Sequence, residues 1–249
     1  MKDTSGVLRI LNLNCGGLSA KFNKLKLFLA DYNDHLLPIS LITLQETHFS
    51  SNTDLQFFDL PDYTLISDNA RINSFGGVAI YLHNSYSFTR FPNNQFNQNS
   101  CVHESMFIEI FHNHSKFNKF LIGNIYRRPS EKVEELSKFI QEFTETLHFV
   151  HERSKQAYIN GDFNIDLLKL NCHHYYNLFY ESVTAQGFFP KITRPTRSDK
   201  NSHTLIDNIF TNNLGKSHTS GIITTHISDH FMIFCILEGR QVDLPKPNM

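Results

Sequence analysis

Tyr158-Ile159-Asn160-Gly161-Asp162-Phe163-Asn164-Ile165-Asp166 is the stretch on which the reading of this chain turns. Ala157, Tyr158 and Ile159 have strand character and lead through Asn160 into a Gly-Asp corner. On an extended backbone, side chains two apart share a face. Asp162 and Asn164 are therefore expected to project together while Phe163 packs behind them. A carboxylate and an amide at a strand end can orient a water and engage an anionic or metal-bound substrate. Gly, Asp and Asn are also ordinary turn residues, so the corner takes its meaning from its surroundings.

Just upstream, Val133, Leu136, Phe139, Ile140, Phe143, Leu147 and Val150 mark one stripe of a long helix opened by Pro129 and Ser130. Before it, residues 104–111 and 119–126 read as a strand pair around His112-Asn113-His114, a hairpin loop. Residues 7–13 form a strand ending at Asn14-Cys15-Gly16-Gly17. Ser19 is expected to cap the helix that follows, with Phe22, Leu25, Leu29, Tyr32 and Leu36 inward. Residues 39–44 suit a strand covered on both faces and end at Gln45-Glu46-Thr47. Strands are also expected at 63–67 and 77–82, with residues 73–76 as the turn between them, and at 204–211, 222–225 and 231–237. A third helix is expected at 173–186. Some ten strands with about three helices are most simply buried as an α/β (α+β) four-layer sandwich. In it, two mixed sheets pack face to face with helices outside.

Strand ends then gather Asn14, Glu46, Tyr126, Asp162, Asn164, Asp207, Asp229 and His230 at one rim. Asp207 interrupts an apolar strand, where an unpaired carboxylate costs several kcal/mol or shifts its pKa. It wants a partner, and His230 is the natural one, its tautomer fixed by the carboxylate. The chain has 249 residues, which fits one large domain or two small ones; a single domain is expected over residues 1–238, with a polar, Pro-containing tail at 239–249. Its apolar runs are too short to span a bilayer. Cys15, Cys101, Cys172 and Cys235 are scattered, which suits free thiols better than a disulfide or zinc framework. A net charge of −1 lacks the basic excess usual in phosphate binders, so any such role rests on local distribution.

Asn-Leu-Asn-Cys-Gly-Gly with Asn14, Gln-Glu-Thr with Glu46, Gly-Asp-Phe-Asn with Asp162 and Asn164, and Ser-Asp-His with Asp229 and His230 occur in the order found in the endonuclease/exonuclease/phosphatase superfamily. The chain resembles that superfamily from residue 7 to residue 237. Gly76-Gly77-Val78-Ala79-Ile80-Tyr81, Ile125-Tyr126-Arg127-Arg128-Pro129, Thr193-Arg194-Pro195-Thr196-Arg197 and residues 202–210 further resemble the apurinic-endonuclease-like endonuclease domain of LINE-type (non-LTR) retrotransposons.

The resemblance implies a Mg²⁺-dependent enzyme, with Mn²⁺ able to substitute. It would nick one strand of double-stranded DNA and leave a 3′-hydroxyl to prime reverse transcription. By that likeness Glu46 resembles the principal metal ligand, aided by Asn14, and Asp229 a supporting metal group. Asp162 resembles the residue that deprotonates the attacking water, and Asn164 a water and phosphate contact. Tyr126 resembles a hydrogen-bond donor to the scissile phosphate. His230, oriented by Asp207, resembles the imidazolium that stabilises developing charge. Arg127, Arg128, Arg194, Arg197 and Ser202 resemble DNA contacts. The implied setting is nuclear, without a membrane. The domain would be monomeric by itself and part of a polyprotein with a reverse transcriptase. A phosphoinositide or other phosphate-ester phosphoesterase, an abasic-site repair endonuclease, and a non-enzymatic binding domain on the same fold are the alternatives. The absence of any tryptophan weighs against the repair enzyme.

Overall fold

The computed structural model describes residues 7–35, 38–67, 76–91, 102–113, 119–153 and 155–238. Leu36, the turn at 73–75, Cys101, His114 and the tail at 239–249 lie outside them. The elements in order are β1 (Leu8–Asn14), α1 (Leu18–His35), β2 (Leu41–Gln45), β3 (Tyr63–Ser67), β4 (Val78–His83), β5 (Tyr86–Arg90), β6 (His103–His112) and β7 (Lys119–Arg127). There follow α2 (Val133–Glu152), β8 (Ala157–Asp162), α3 (His174–Ala185), β9 (Phe189–Pro190), β10 (Arg197–Ser198), β11 (His203–Thr204), β12 (Asp207–Thr211), β13 (His218–Ile223) and β14 (Met232–Leu237).

Two six-stranded mixed sheets result, ordered β13-β14-β1-β2-β4-β3 and β5-β6-β7-β8-β12-β9. Period-two alternation builds the layers. Ile10, Leu41, Ile80 and Ile233 of the first sheet meet Met106, Ile108, Ile122 and Ile209 of the second. On the outer face of the first sheet, Leu11, Leu13, Ile42 and Leu44 take Phe22, Leu25 and Leu29 of α1. On the outer face of the second, Phe107, Leu121 and Ile159 take Phe139, Phe143 and Leu147 of α2 and Phe179 of α3. This is the four-layer α/β sandwich expected from the strand count. Phe143 stacks on Phe139 and Phe179, and truncating such a core ring to alanine costs about 3–5 kcal/mol.

Several details differ from the sequence expectation, each for a local reason. Ser19 lies inside the first turn of α1 rather than capping it. The chain is already anchored there, because the Gly17 and Leu18 amides donate to the Glu46 and Thr47 carbonyls. Helix α2 starts only at Val133, since the Ser130 carbonyl is taken by Arg127 and the Ser130 hydroxyl accepts from the Lys132 amide. The strand expected at 204–211 is two strands. Between them the Leu205 amide turns to Asp166 and the Ile206 carbonyl accepts from Phe163. The half-exposed edge strand β5 and the short β9 and β10 had no sequence counterpart.

Candidate active site

Strand direction assembles the site. β1 and β2 run parallel, and so do β7 and β8, so Asn14, Gln45, Tyr126 and Asp162 lie at strand ends. β12 is antiparallel to β8, and β14 to β1, so Asp207 and His230 enter where their neighbours leave. Within the second sheet, Tyr126 pairs with Asp162 and Asp162 with Asp207, placing three side chains in one row across adjacent strands. Asn14 joins the sheets by donating to Glu46 Oε1 and to Asp162 Oδ2, each at 2.8 Å. Gly161 permits the close approach of β7 and β8, since a Cβ there would sit 2.1 Å from the Ile125 carbonyl oxygen.

The Gly-Asp corner brings Asp162 and Asn164 together, but not by strand alternation. The strand ends at Asp162, and Asn164 adopts φ 48° in the left-handed region. Its backbone amide donates to Asp162 Oδ1 at 2.9 Å, and its side-chain Nδ2 donates to Asp162 Oδ2 at 3.3 Å and to the Arg127 carbonyl at 2.7 Å. Glu46 also stands at positive φ, 50°, with its carbonyl held by the Gly17 amide. Non-glycine residues in this region cost on the order of 1 kcal/mol or more, and such strain clusters at functional sites.

His230 Nδ1 lies 2.9 Å from Asp207 Oδ2, the Thr196 hydroxyl donates to that same oxygen at 2.6 Å, and all three residues are buried. Burial opposes charge on His230, but the charge and hydrogen bond of Asp207, with Asp162 and Asp229 beyond, lift its pKa to about 9. Asp162 is fully buried and faces Asp207, which together hold its carboxyl well above the usual carboxylate range. His230 and the Asn14 and Asn164 hydrogen bonds pull it partly back. Burial, then the carboxylates of Glu46 and Asp162, push the Tyr126 phenol up.

Ligand atoms of Asp162, Asp207 and His230 all lie within 4.8 Å of one another, close enough to hold a metal ion. An imidazole charged at neutral pH repels a cation, however, and Asp207 already serves His230 and Thr196. Glu46 fits a hard cation better. Its side chain is 27% exposed and offers carboxylate oxygens beside Asp162. Asn14 Oδ1 accepts from the Gly16 amide, so Asn14 acts here chiefly as a donor.

The expected DNA contacts separate sharply. Arg127 is 1% exposed and donates to the carbonyls of Phe163 (2.7 Å), Asn164 (2.8 Å) and Ser130 (3.3 Å), so it is a clamp inside the protein and no surface cation. Arg128 pairs with the buried Glu104, whose other oxygen accepts from the Gly77 amide. Asp229, expected beside the metal, turns its carboxylate instead to Arg197 at 2.7 Å. The Ser202 hydroxyl is occupied by Asp199 within its own turn. Arg194 is exposed and has no ion-pair partner among the described residues. Thr196 and the clamp role of Arg127 were not anticipated from sequence. The only prior signal was that Thr196 falls within the Thr-Arg-Pro-Thr-Arg motif.

A buried acid–histidine pair, the buried Asp162 carboxyl with its raised pKa and a part-open Glu46 stand together at one rim. The sequence profile of the Endonuclease/Exonuclease/phosphatase family matches residues 11–230, and the chain belongs to that family. Enzymes of this family hydrolyse phosphodiester or phosphate-ester bonds, generally with a divalent metal. No curated protein sequence matches the chain. Among solved structures, the endonuclease domain of TRAS1, a telomere-specific non-LTR retrotransposon, superposes with a TM-score of 0.69 at 13% identity, covering 94% of this chain and 100% of that one. The Xenopus laevis APE2 catalytic domain gives 0.68 at 17% identity, over 92% and 91%. The 3′-5′ exonuclease NExo from Neisseria meningitidis gives 0.66 at 15%, over 92% and 98%.

Proposed function

We propose that this chain is a Mg²⁺-dependent DNA endonuclease. It nicks one strand of a double-stranded target and leaves a 3′-hydroxyl that primes reverse transcription by another domain of the same polyprotein, acting on chromosomal DNA in the nucleus. The observation that carries the reading is the row Tyr126–Asp162–Asp207 with His230 on Asp207, joined through Asn14 to Glu46. The likeness to the retrotransposon domain adds support for DNA as substrate.

Hydrolysing a phosphodiester requires a placed nucleophile, neutralised non-bridging oxygens and a stabilised leaving group. Asp162 is the base. Its raised pKa brings proton uptake from water close to neutral pH, where general-base efficiency is greatest. Asn164, fixed by Asp162 and the Arg127 carbonyl, positions that water. His230, charged at neutral pH and tethered by Asp207, stabilises negative charge growing on the phosphate. Tyr126 donates its hydroxyl to a phosphate oxygen. Glu46 would hold Mg²⁺, or Mn²⁺ in its place, and the bound ion would supply positive charge to phosphate oxygens and to the departing group.

The test is supercoiled plasmid incubated with Mg²⁺ or with EDTA, with the nicked product offered to a DNA polymerase. Relaxation that needs the ion and yields extendable ends is expected. Plasmid left intact across Mg²⁺ and Mn²⁺ titrations sinks the reading.

A further inference from the structure

Beside the rim lies a cleft of about 330 Å³ between residues 191–194 and β13, lined by Lys191, Thr193, Arg194, Ser220 and Gly221. Its floor is built: the Asn208 side-chain oxygen accepts from the Lys191 and Ile192 amides, and the Ser220 hydroxyl donates to the Lys191 carbonyl at 2.8 Å. The segment therefore straps β12 of one sheet to β13 of the other. The cations here differ from their neighbours. Arg127 is buried on carbonyls, Arg128 is neutralised by Glu104 and Arg197 by Asp229. Lys191 and Arg194 make no ion pair among the described residues, so two uncompensated charges share one polar cleft. It is close to the chemistry as well. Thr196 bonds Asp207, and two residues of chain back to Arg194 span at most about 7 Å.

We propose that this cleft is a second phosphate subsite. It grips a backbone phosphate of the substrate strand next to the one that is cut, with Lys191 and Arg194 as donors. The assignment rests on the nuclease reading above, and it supplies the basic footprint that the net charge of −1 conceals. Two cations meeting one phosphate position the strand without reading its sequence.

The experiment measures anisotropy of a fluorescein-labelled duplex with the full chain in EDTA across a KCl titration, beside plasmid nicking by the wild type in Mg²⁺. K191Q/R194Q is expected to weaken binding about tenfold at physiological salt and to lower the slope of log K against log salt by about one. The exposed single variant R194Q falls between and guards against misfolding of the pair. Unchanged affinity and slope with a wild type that nicks overturns the subsite and leaves the nuclease standing. A wild type that neither binds the duplex nor nicks overturns both. Inorganic phosphate raising the melting temperature of the wild type alone, with duplex binding equal in both proteins, assigns the cleft to a free anion and overturns the proposal.

Discussion

Two corners face each other across the candidate site, and they are held by opposite means. At residues 162–164 nearly everything is interior. Asp162 is 1% exposed, and the buried Arg127 guanidinium ties down the two carbonyls that follow it. At residues 228–230 the backbone is fastened from outside, by the exposed Arg197–Asp229 ion pair and a single bridge between Arg197 and His230, while only the imidazole reaches inward. An interior clamp has no water to compete with it, whereas a surface pair does. The inner corner is therefore expected to be rigid and costly to break. The outer one can move without unfolding.

The largest expected effects are chemical and bear on both corners equally. Asp162→Asn and His230→Ala should each reduce plasmid nicking by about 10²–10⁴ while the circular dichroism stays native. Activity retained in either variant breaks the claim that the corners act together. Next comes the clamp. Arg127→Leu leaves the Phe163, Asn164 and Ser130 carbonyls without their donor, at about 1–3 kcal/mol for each that stays buried, so urea denaturation should show a loss of at least ~3 kcal/mol. A loss below ~1 kcal/mol would mean that the inner corner is no firmer than the outer one.

A smaller effect reads the outer corner through its histidine. His230 has a folded pKa raised from 6.5 to about 9, so the stability its charge contributes is fully present below pH 6.5 and lost as pH rises through about 9. The advantage of wild type over His230→Gln in thermal melts should narrow across that window, and a pH-independent gap would contradict it. The smallest effect belongs to the surface pair. Its side chains are 50% and 59% exposed, and Arg197→Ala should cost less than ~1 kcal/mol in urea denaturation.

Much of this was legible from the sequence, because strand ends are marked by where apolar alternation stops. Asn14, Glu46, Tyr126 and Asp162 all stand at such stops, and Asp207, an acid within an apolar run, announced the need for a partner at His230. What could not be read depends on partners distant in the chain. The left-handed turn of Asn164 follows from carbonyls taken by Arg127, 37 residues away. A basic residue after a tyrosine at a strand end looks like a surface cation, and nothing local says that its fork is saturated by the backbone. Edge strand β5 escaped because it buries too little to leave a pattern.

The row Tyr126–Asp162–Asp207 has a consequence for how such a protein can change over evolutionary time. Its geometry is written in hydrogen-bond register, not in chain length. Insertions or deletions in residues 128–156 or 167–203 leave the row intact so long as the strands re-enter in phase. A single-residue slip within β7, β8 or β12 turns its member to the opposite face and dismantles the site at a stroke. Substrate preference is thus free to drift in the connecting segments while the reacting groups are locked by the count of the ladder.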